Sequence, residues 1–223
     1  MFRAITLSML AISMLAACAS GDARHLHGLK PIANPSAIVA TEFAFASEAQ
    51  TKGQWTAFSE FAADDAVMFA PQLVVAKDWL KKRANPAQAV TWQPYNVWMS
   101  CDGSLAVSKG AWQRPNGTTG YFTTVWKRQK DGKYKWALDQ GDALAQPLAA
   151  PEMISGVVAD CSKASPVAAP PAPAGVDQRV GWSDDKTLQW IVDVRPDGSR
   201  SFKVHRWTGS GYEEVLRSDV AAE

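Results

Sequence analysis

Seven acidic side chains between residues 35 and 148 are the candidates for carboxylate chemistry: Glu42, Glu60, Asp64, Asp65, Asp78, Asp139 and Asp142. A carboxylate becomes a general base near neutral pH when apolar walls raise its pKa, and hydroxyl or acid groups can then stabilise an enolate. Most of the seven fall at predicted helix ends or turns, where a carboxylate is solvated or caps a helix. Asp139 is the exception, because it lies within a predicted strand, although acids near strand ends are more often structural. Tyr95 and Tyr121 are the candidate donors.

Other kinds of catalytic site find little support in the sequence. Residues 35–148 contain no histidine, so a cysteine nucleophile there would lack the usual base. The chain has no Gly-rich phosphate loop and no Ser-centred nucleophile motif. His25 and His27 form half of a metal-ligand pattern, but no Cys, His or acid cluster accompanies them. We therefore expect neither a cofactor nor a metal.

The N-terminus has the features of a secretory signal. Arg3 precedes the apolar run Ala4–Leu15, which is too short to span a bilayer. The run ends in Leu15-Ala16-Ala17-Cys18, which resembles the lipobox of bacterial lipoproteins; an ordinary cleaved signal is the alternative. The resemblance implies cleavage after residue 17 and lipid on Cys18, which would anchor the protein in the cell envelope, facing the periplasm. Ala19 favours the outer membrane.

Cys101 and Cys161 are the two cysteines that remain when Cys18 carries lipid. An even pair in an oxidising compartment predicts a disulfide. Two unpaired buried thiols are the alternative. The bridge would tie the segment after residue 148 to the first turn of the predicted sheet.

Charge argues against nucleic acid as a partner. The chain has 23 basic and 22 acidic side chains, and removal of the signal takes away Arg3 alone. A neutral mature protein lacks the cationic field that binding of nucleic acid requires.

The stretch from Thr91 to Gly141 predicts four antiparallel strands. The strands are expected at Thr91–Ser100, Ser104–Gln113, Gly120–Gln129 and Lys133–Gln140. Between them lie Cys101-Asp102-Gly103, Pro115-Asn116-Gly117 and Lys130-Asp131-Gly132. Asp-Gly and Asn-Gly tolerate the positive φ that tight hairpins require, so each is a turn prediction.

Helices are predicted before this sheet. Asn34 fits an N-cap, Pro35 fits the first helical position, and Gly53 can end the helix. Its buried stripe is predicted to be Val39, Phe43, Ala46 and Ala49. A second short helix follows with Trp55, Phe58 and residues 61–62. A strand at Ala66–Ala70 and a third helix at about Val75–Arg83, with Trp79 and Leu80 buried, complete this part.

The C-terminal part is predicted to be a Pro/Ala-rich linker over residues 149–178 and a small β-meander over residues 179–223. Its strands are expected at Thr187–Val194, Ser201–Trp207 and Tyr212–Leu216. So small a unit is marginal alone. It either docks Trp190, Ile191, Val194 and Phe202 on the larger sheet, which we favour, or pairs with a sheet edge. No internal repeat is apparent beyond the turns.

Three motifs together resemble the superfamily of nuclear transport factor 2, ketosteroid isomerase and the SnoaL-like proteins. They are Glu42-Phe43-Ala44 with Gly53-Gln54-Trp55; Asp64–Pro71; and Gly120–Arg128 with Asp131–Trp136. The resemblance implies an α+β fold in which a cone-shaped, curved antiparallel sheet is packed by N-terminal helices. The expected organisation is a signal peptide at 1–17, a tether at 18–34 and the cone domain at 35–148. Some enzymes of this fold use a His/Asp pair, which this domain lacks.

Two functional hypotheses follow. In the first, the protein is a non-catalytic, lipid-anchored module that binds a small apolar ligand or acts as a scaffold. Trp92, Tyr95, Trp112, Tyr121 and Trp126 would then line its cavity, although strand alternation sends only some of them inward. In the second, the protein is an isomerase or dehydratase with Asp139 as the base. A homodimer through the sheet is a further expectation.

Overall fold

The computed structural model describes residues 33–164 and 171–222. The predicted signal, Cys18 and the two N-terminal histidines lie outside these residues. The helices are α1 (Pro35–Lys52), α2 (Gln54–Phe61) and α3 (Ala76–Leu80). The first seven strands are β1 (Ala62–Phe69), β2 (Leu73–Val75), β3 (Thr91–Met99), β4 (Leu105–Gln113), β5 (Thr119–Arg128), β6 (Tyr134–Leu144) and β7 (Ser155–Val158). The last four are β8 (Asp177–Trp182), β9 (Leu188–Val194), β10 (Arg200–Trp207) and β11 (Tyr212–Val220).

The strands form two sheets. The larger has the order β2-β1-β6-β5-β4-β3-β7, and the smaller has the order β11-β10-β9-β8. Strands β3 to β6 form the antiparallel meander that the turn motifs predict. The outer pairs β1–β6 and β3–β7 are parallel, so the larger sheet is mixed rather than wholly antiparallel. The predicted α+β class is confirmed.

Local signals set the ends of α1 as predicted. The Asn34 side chain accepts a hydrogen bond from the backbone N–H of Ser36 at 3.1 Å, and Pro35 opens α1. Gly53 separates α1 from α2 with a φ of 104°, which glycine adopts without strain. The start of α2 is capped from a distant loop, because Asn85 Oδ1 accepts from the N–H of Trp55 at 2.7 Å.

Three strands were not predicted. They are β2, β7 and β8, and the last two occupy or enter the segment predicted as a linker. Strands β2 and β7 have only three and four residues, and β8 has no regular alternation of buried and exposed side chains. All three lie at sheet edges. An edge strand gains its stability from main-chain pairing, which leaves a weak pattern in the sequence.

One core lies between the helices and one face of the larger sheet. Ile38, Phe45 and Ala49 of α1 pack there with the fully buried Trp126 and Trp136. Ala49 is buried as predicted, but the other three buried residues of α1 each lie one position before the predicted one, and Phe43 is 47% exposed.

A second core lies on the opposite face of the larger sheet, which the smaller sheet covers. Trp190, Val192 and Phe202 of the smaller sheet pack with Val107 and Val125 of the larger. The docking expected for Trp190, Val194 and Phe202 is thus observed, whereas Ile191 is buried outside this cluster.

Alternation along β4 shows how one strand serves both cores. Leu105 and Val107 belong to the core shared with the smaller sheet. Ala106 packs on the helical side, and Ser108 bonds to α1 on that same side. Both faces of the larger sheet are therefore covered by this chain within the described residues. A homodimer through the sheet stays a prediction.

Two similar turns meet where the sheets join, and we call them the twin turns: Ser100–Leu105 and Ser183–Leu188. Both have the sequence Ser-x-Asp-x-Ser/Thr-Leu. In each, the aspartate Oδ1 accepts hydrogen bonds from the serine hydroxyl two residues before it and from the backbone N–H two residues after it. The similarity is confined to these two six-residue turns.

The twin turns satisfy each other's backbone groups reciprocally. The N–H of Asp102 donates to Asp185 Oδ2 at 2.8 Å, and the N–H of Asp185 donates to Asp102 Oδ2 at 3.1 Å. The N–H of Cys101 likewise donates to the Thr187 hydroxyl, as the N–H of Asp184 does to the Ser104 hydroxyl. The smaller sheet is fixed to the larger one by this exchange.

A disulfide joins Cys101 and Cys161, with 5.2 Å between the Cα atoms. The predicted pairing is confirmed. The bridge ties the segment after β7 to the first twin turn, so it closes over the region in which the two sheets meet.

Candidate functional site

A cavity of about 580 Å³ opens between the helices and the larger sheet. Its volume lies in the range of small-molecule sites. Aromatic side chains from α1, α2, α3 and four strands form much of its wall: Phe45, Trp55, Phe58, Phe69, Trp79, Trp92, Trp112 and Phe122. Charged side chains of the lining are Arg114, Asp139, Asp142 and Arg200.

Glycine at position 120 allows one wall of the cavity to form. The Trp112 ring lies directly over Gly120, where a Cβ would stand 2.2 Å from the ring atoms. The indole Nε1 of Trp112 donates to the Tyr121 carbonyl at 2.9 Å, which fixes the ring in place. A larger residue at position 120 would displace this wall.

Asp139 lies on β6, in register with Thr124 on β5 and with Met68 on β1. All three residues line the cavity. The Thr124 hydroxyl donates to Asp139 Oδ2 at 2.7 Å. Burial raises the pKa of Asp139 to about 7, although the bond from Thr124 lowers it. Asp139 is therefore a carboxyl poised to gain or lose a proton near neutral pH.

The other oxygen of Asp139 is open to the cavity. Oδ1 accepts no hydrogen bond from the described residues. It is also not fully enclosed, so part of its surface is accessible. The side chain is thus desolvated by the surrounding protein but keeps partial access through the cavity. A bound molecule could reach Oδ1 directly.

Glu42 is a second buried carboxyl on the helical side of the same sheet. Its side chain accepts three hydrogen bonds from three strands: Ser108 Oγ at 2.5 Å, Trp126 Nε1 at 3.1 Å and Trp92 Nε1 at 3.2 Å. Burial nevertheless raises its pKa to about 7; the bonds lower it, and the charge of Asp139 raises it further. No cation pairs with Glu42 among the described residues.

The position of Glu42 corrects the sequence analysis. The sequence analysis places most of the candidate acids at helix ends or turns and treats Asp139 alone as an exception. Glu42 lies instead within the buried stripe of α1, four residues after Ile38 and three before Phe45. That spacing is present in the sequence, but the pattern of apolar residues alone predicts the other stripe, which contains no acid.

Two of the five aromatic residues predicted to line the cavity do so, and the other three lie elsewhere. Trp92 and Trp112 line it, and their role in ligand binding stays a prediction. Tyr121 lies on the opposite face, where its hydroxyl bonds Ser218. Trp126 faces the helices but is fully enclosed. Tyr95 lies at an irregularity in β3 pairing and does not line the cavity.

The remaining candidate acids do not join Asp139. Asp64 pairs with Lys77 at the surface, and Asp78 pairs with Lys81. Glu60 and Asp65 are exposed as well. Asp142 lines the cavity, where Oδ1 accepts from the N–H of Ala143. Across the described residues, no group of three or more His, Cys, Asp or Glu side chains could hold a metal ion.

Solved structures similar to this chain each match about half of it. A "putative ketosteroid isomerase" from Parabacteroides distasonis is 17% identical with a TM-score of 0.41, over 52% of this chain and 98% of that one. The CaMKII hub of S. rosetta is 16% identical with a TM-score of 0.38, over 51% and 99%. A conserved protein from Planctomyces limnophilus is 12% identical with a TM-score of 0.37, over 49% and 96%.

These similarities concern the fold alone. No family model and no curated protein matches the sequence. The chemistry of the cavity must therefore be argued from its own residues.

Proposed function

We propose that this chain is a lipid-anchored protein of the bacterial cell envelope whose cone domain binds a small, largely apolar ligand in its cavity. The cavity itself is the observation that carries the proposal. It has the volume of a small-molecule site, a wall to which eight aromatic rings contribute, and one open carboxylate oxygen that can orient a ligand. A scaffolding role would not require such a cavity.

Filling the cavity tests ligand binding. Nile red, a neutral apolar dye, should gain fluorescence when it enters the wild-type cavity. Ala70→Trp places an indole at a half-buried position of the lining and should abolish most of the gain. Ala44→Trp adds the same group to the exposed surface of α1 and should change nothing. Equal fluorescence in both variants, or none in the wild type, would contradict the proposal.

A second candidate function is an isomerase or dehydratase, and the position of Asp139 favours it. A carboxyl with a pKa of about 7 that faces a cavity meets the first requirement of a general base. Gln54 supplies a candidate donor for a developing oxyanion. Its Oε1 accepts from the N–H of Val90 at 3.0 Å, which leaves Nε2 to donate from the cavity wall.

Deuterium uptake separates catalysis from binding. An enzyme that removes a proton beside a carbonyl should incorporate deuterium into a panel of apolar ketones in heavy water, as read by mass spectrometry. Asp139→Asn keeps an acceptor for Thr124 but removes the base, so uptake should stop. Asp142→Asn is the matched control and should retain it. If the ketones take up deuterium no faster with the wild-type protein than in buffer alone, the isomerase or dehydratase function is contradicted.

Lipid anchoring rests on the sequence at Leu15–Cys18. No helix of the described residues is long and apolar enough to cross a membrane. Cys18→Ser should release the protein from membranes or stall its processing, while Ser20→Ala should leave fractionation unchanged. Density separation of the two membranes would show whether the anchored protein resides in the outer one. Unaltered maturation of Cys18→Ser would contradict the anchor.

A further inference from the structure

Two carboxyl groups, those of Asp139 and Glu42, lie at or directly behind one part of the cavity wall. Asp139 contributes the open oxygen Oδ1 to the cavity. Glu42 stands behind Trp92, whose indole N–H donates to it while the ring lines the cavity. Two carboxyls that influence each other therefore lie on one side of an aromatic chamber.

The two arginines of the lining have other partners. The guanidinium of Arg114 lies over the Trp112 ring, 4.9 Å from its centroid, and its side chain is exposed. Arg200 donates to the Gly141 carbonyl at 2.6 Å and lies over the Phe69 ring. Neither arginine is among the groups that shift the pKa of Asp139. The positive charge that would complement Asp139 is therefore not supplied by these side chains.

The rings near these acids suit a cation as well as an apolar body. Phe45, Phe58 and Trp92 line the cavity with centroids 4.7–6.0 Å apart. Aromatic rings attract cations through their quadrupoles, and the attraction grows when water is excluded. The hydrogen bond from Trp92 to Glu42 further polarises that indole toward negative charge.

We propose that the ligand of this cavity is a protonated organic amine, with its ammonium group on Asp139 Oδ1 and its apolar body against the rings of Phe45, Phe58 and Trp92. This inference rests on the proposed ligand-binding function and names the chemical class of the ligand. A neutral apolar molecule would fill the same volume but leave Asp139 without a charged partner. An organic anion would meet repulsion from the acidic side.

Four probes of one shape test the charge requirement by calorimetry at about pH 8, where Asp139 is ionised and an alkylamine is still protonated. They are naphthylethylamine, its N,N,N-trimethyl derivative, naphthylethanol and naphthylpropionate. The amine should bind about tenfold or more tightly than the alcohol, because charge complementarity adds to the same apolar contact. The propionate should bind most weakly. The trimethyl derivative separates charge from hydrogen-bond donation.

Matched variants assign the preference to one carboxyl. Asp139→Asn should bring the amine and the alcohol to equal affinity while leaving the alcohol's own affinity nearly unchanged. Asp142→Asn removes the other lining acid and should keep the preference. Circular dichroism of both variants confirms that they fold.

Each outcome decides the inference. Equal binding of amine and alcohol by the wild type overturns it, but leaves the proposed ligand-binding function standing. Retention of the preference in Asp139→Asn, or its loss in Asp142→Asn, also overturns it. Failure of all four probes to bind counts against both the inference and the proposed function.

Discussion

Glu42 is a carboxyl that the fold buries at a cost in free energy. Hydrogen bonds from three donors favour the charged form of Glu42. The loss of hydration on burial disfavours it more strongly and raises the pKa from 4.5 to about 7. The folded state therefore holds the Glu42 proton more tightly than the unfolded chain. Stability from this group is full below about pH 4.5 and is lost as the pH rises to about 7.

Glu42→Gln should remove this pH dependence. In the wild type, ionisation of Glu42 should lower the unfolding free energy by about 3 kcal/mol between pH 4.5 and 7. The amide cannot ionise, so this decrease should be absent from the variant. Urea unfolding across that range measures it. The variant should also lose about 1–2 kcal/mol of unfolding free energy at every pH, because its amide N–H and the Trp92 N–H are both donors and face each other without an acceptor. Glu60→Gln, at the exposed end of α2, is the control. Parallel pH profiles for wild type and Glu42→Gln would contradict the burial argument.

The candidate site was half predictable from the sequence. Asp139 was found because an acid within a strand of otherwise apolar and aromatic residues breaks the expected pattern. Glu42 could not be singled out in this way, because Val39, Phe43, Ala46 and Ala49 form a wholly apolar stripe at helical spacing on the same helix. Its burial depends on Ser108, Trp92 and Trp126, which come from three strands 50 to 84 residues away. No local pattern contains that information.

At the scale of elements, α1 shows which of two neighbouring phenylalanines holds the helix on the sheet. Phe45 is 2% exposed and contacts Phe58, Phe61 and Trp92, whereas Phe43 is 47% exposed. Phe45→Ala should lower the unfolding free energy by about 3–5 kcal/mol. Phe43→Ala should change it by about 0.5 kcal/mol or less. Equal losses on chemical denaturation would contradict this assignment, and a larger loss for Phe43→Ala would support the stripe predicted from the sequence.

The elements themselves were predicted where turn chemistry marks their ends. Gly103, Gly117 and Gly132 all have positive φ at the three meander turns, as the Asp-Gly and Asn-Gly pairs require. The ends of α1 followed from Asn34 and Gly53 in the same way. The edge strands lacked such marks. Their pairing is decided by the strands they meet, so it became visible only in three dimensions.

At the scale of the whole molecule, the disulfide and the twin turns hold the two sheets together. The bridge between Cys101 and Cys161 spans 60 positions of sequence. Replacing both cysteines by serine should lower the unfolding free energy by about 2–4 kcal/mol, mainly because the unfolded chain gains freedom. Adding reductant to the wild type should reproduce the loss in thermal unfolding. No change on reduction would show that the bridge does not constrain the unfolded chain.

The twin turns should behave as one energetic unit. Asp102→Ala leaves the N–H of Asp185 without its acceptor, and Asp185→Ala does the same to Asp102. Each change should cost about 1–3 kcal/mol. The double variant should cost clearly less than the two together, because the second change removes a contact already broken. Asp102→Ala combined with Asp131→Ala, in an exposed turn, should be additive. Additivity in both cycles would contradict the reciprocal contact.

Reciprocity of this kind also constrains how the gene can change. A mutation that replaces one of the two aspartates weakens a contact that the other still needs, so a lineage carrying a single replacement is at a disadvantage until the second arrives. Descendants should therefore keep both aspartates or have lost both. We therefore expect positions 102 and 185, which are 83 residues apart in the chain, to change together in related sequences.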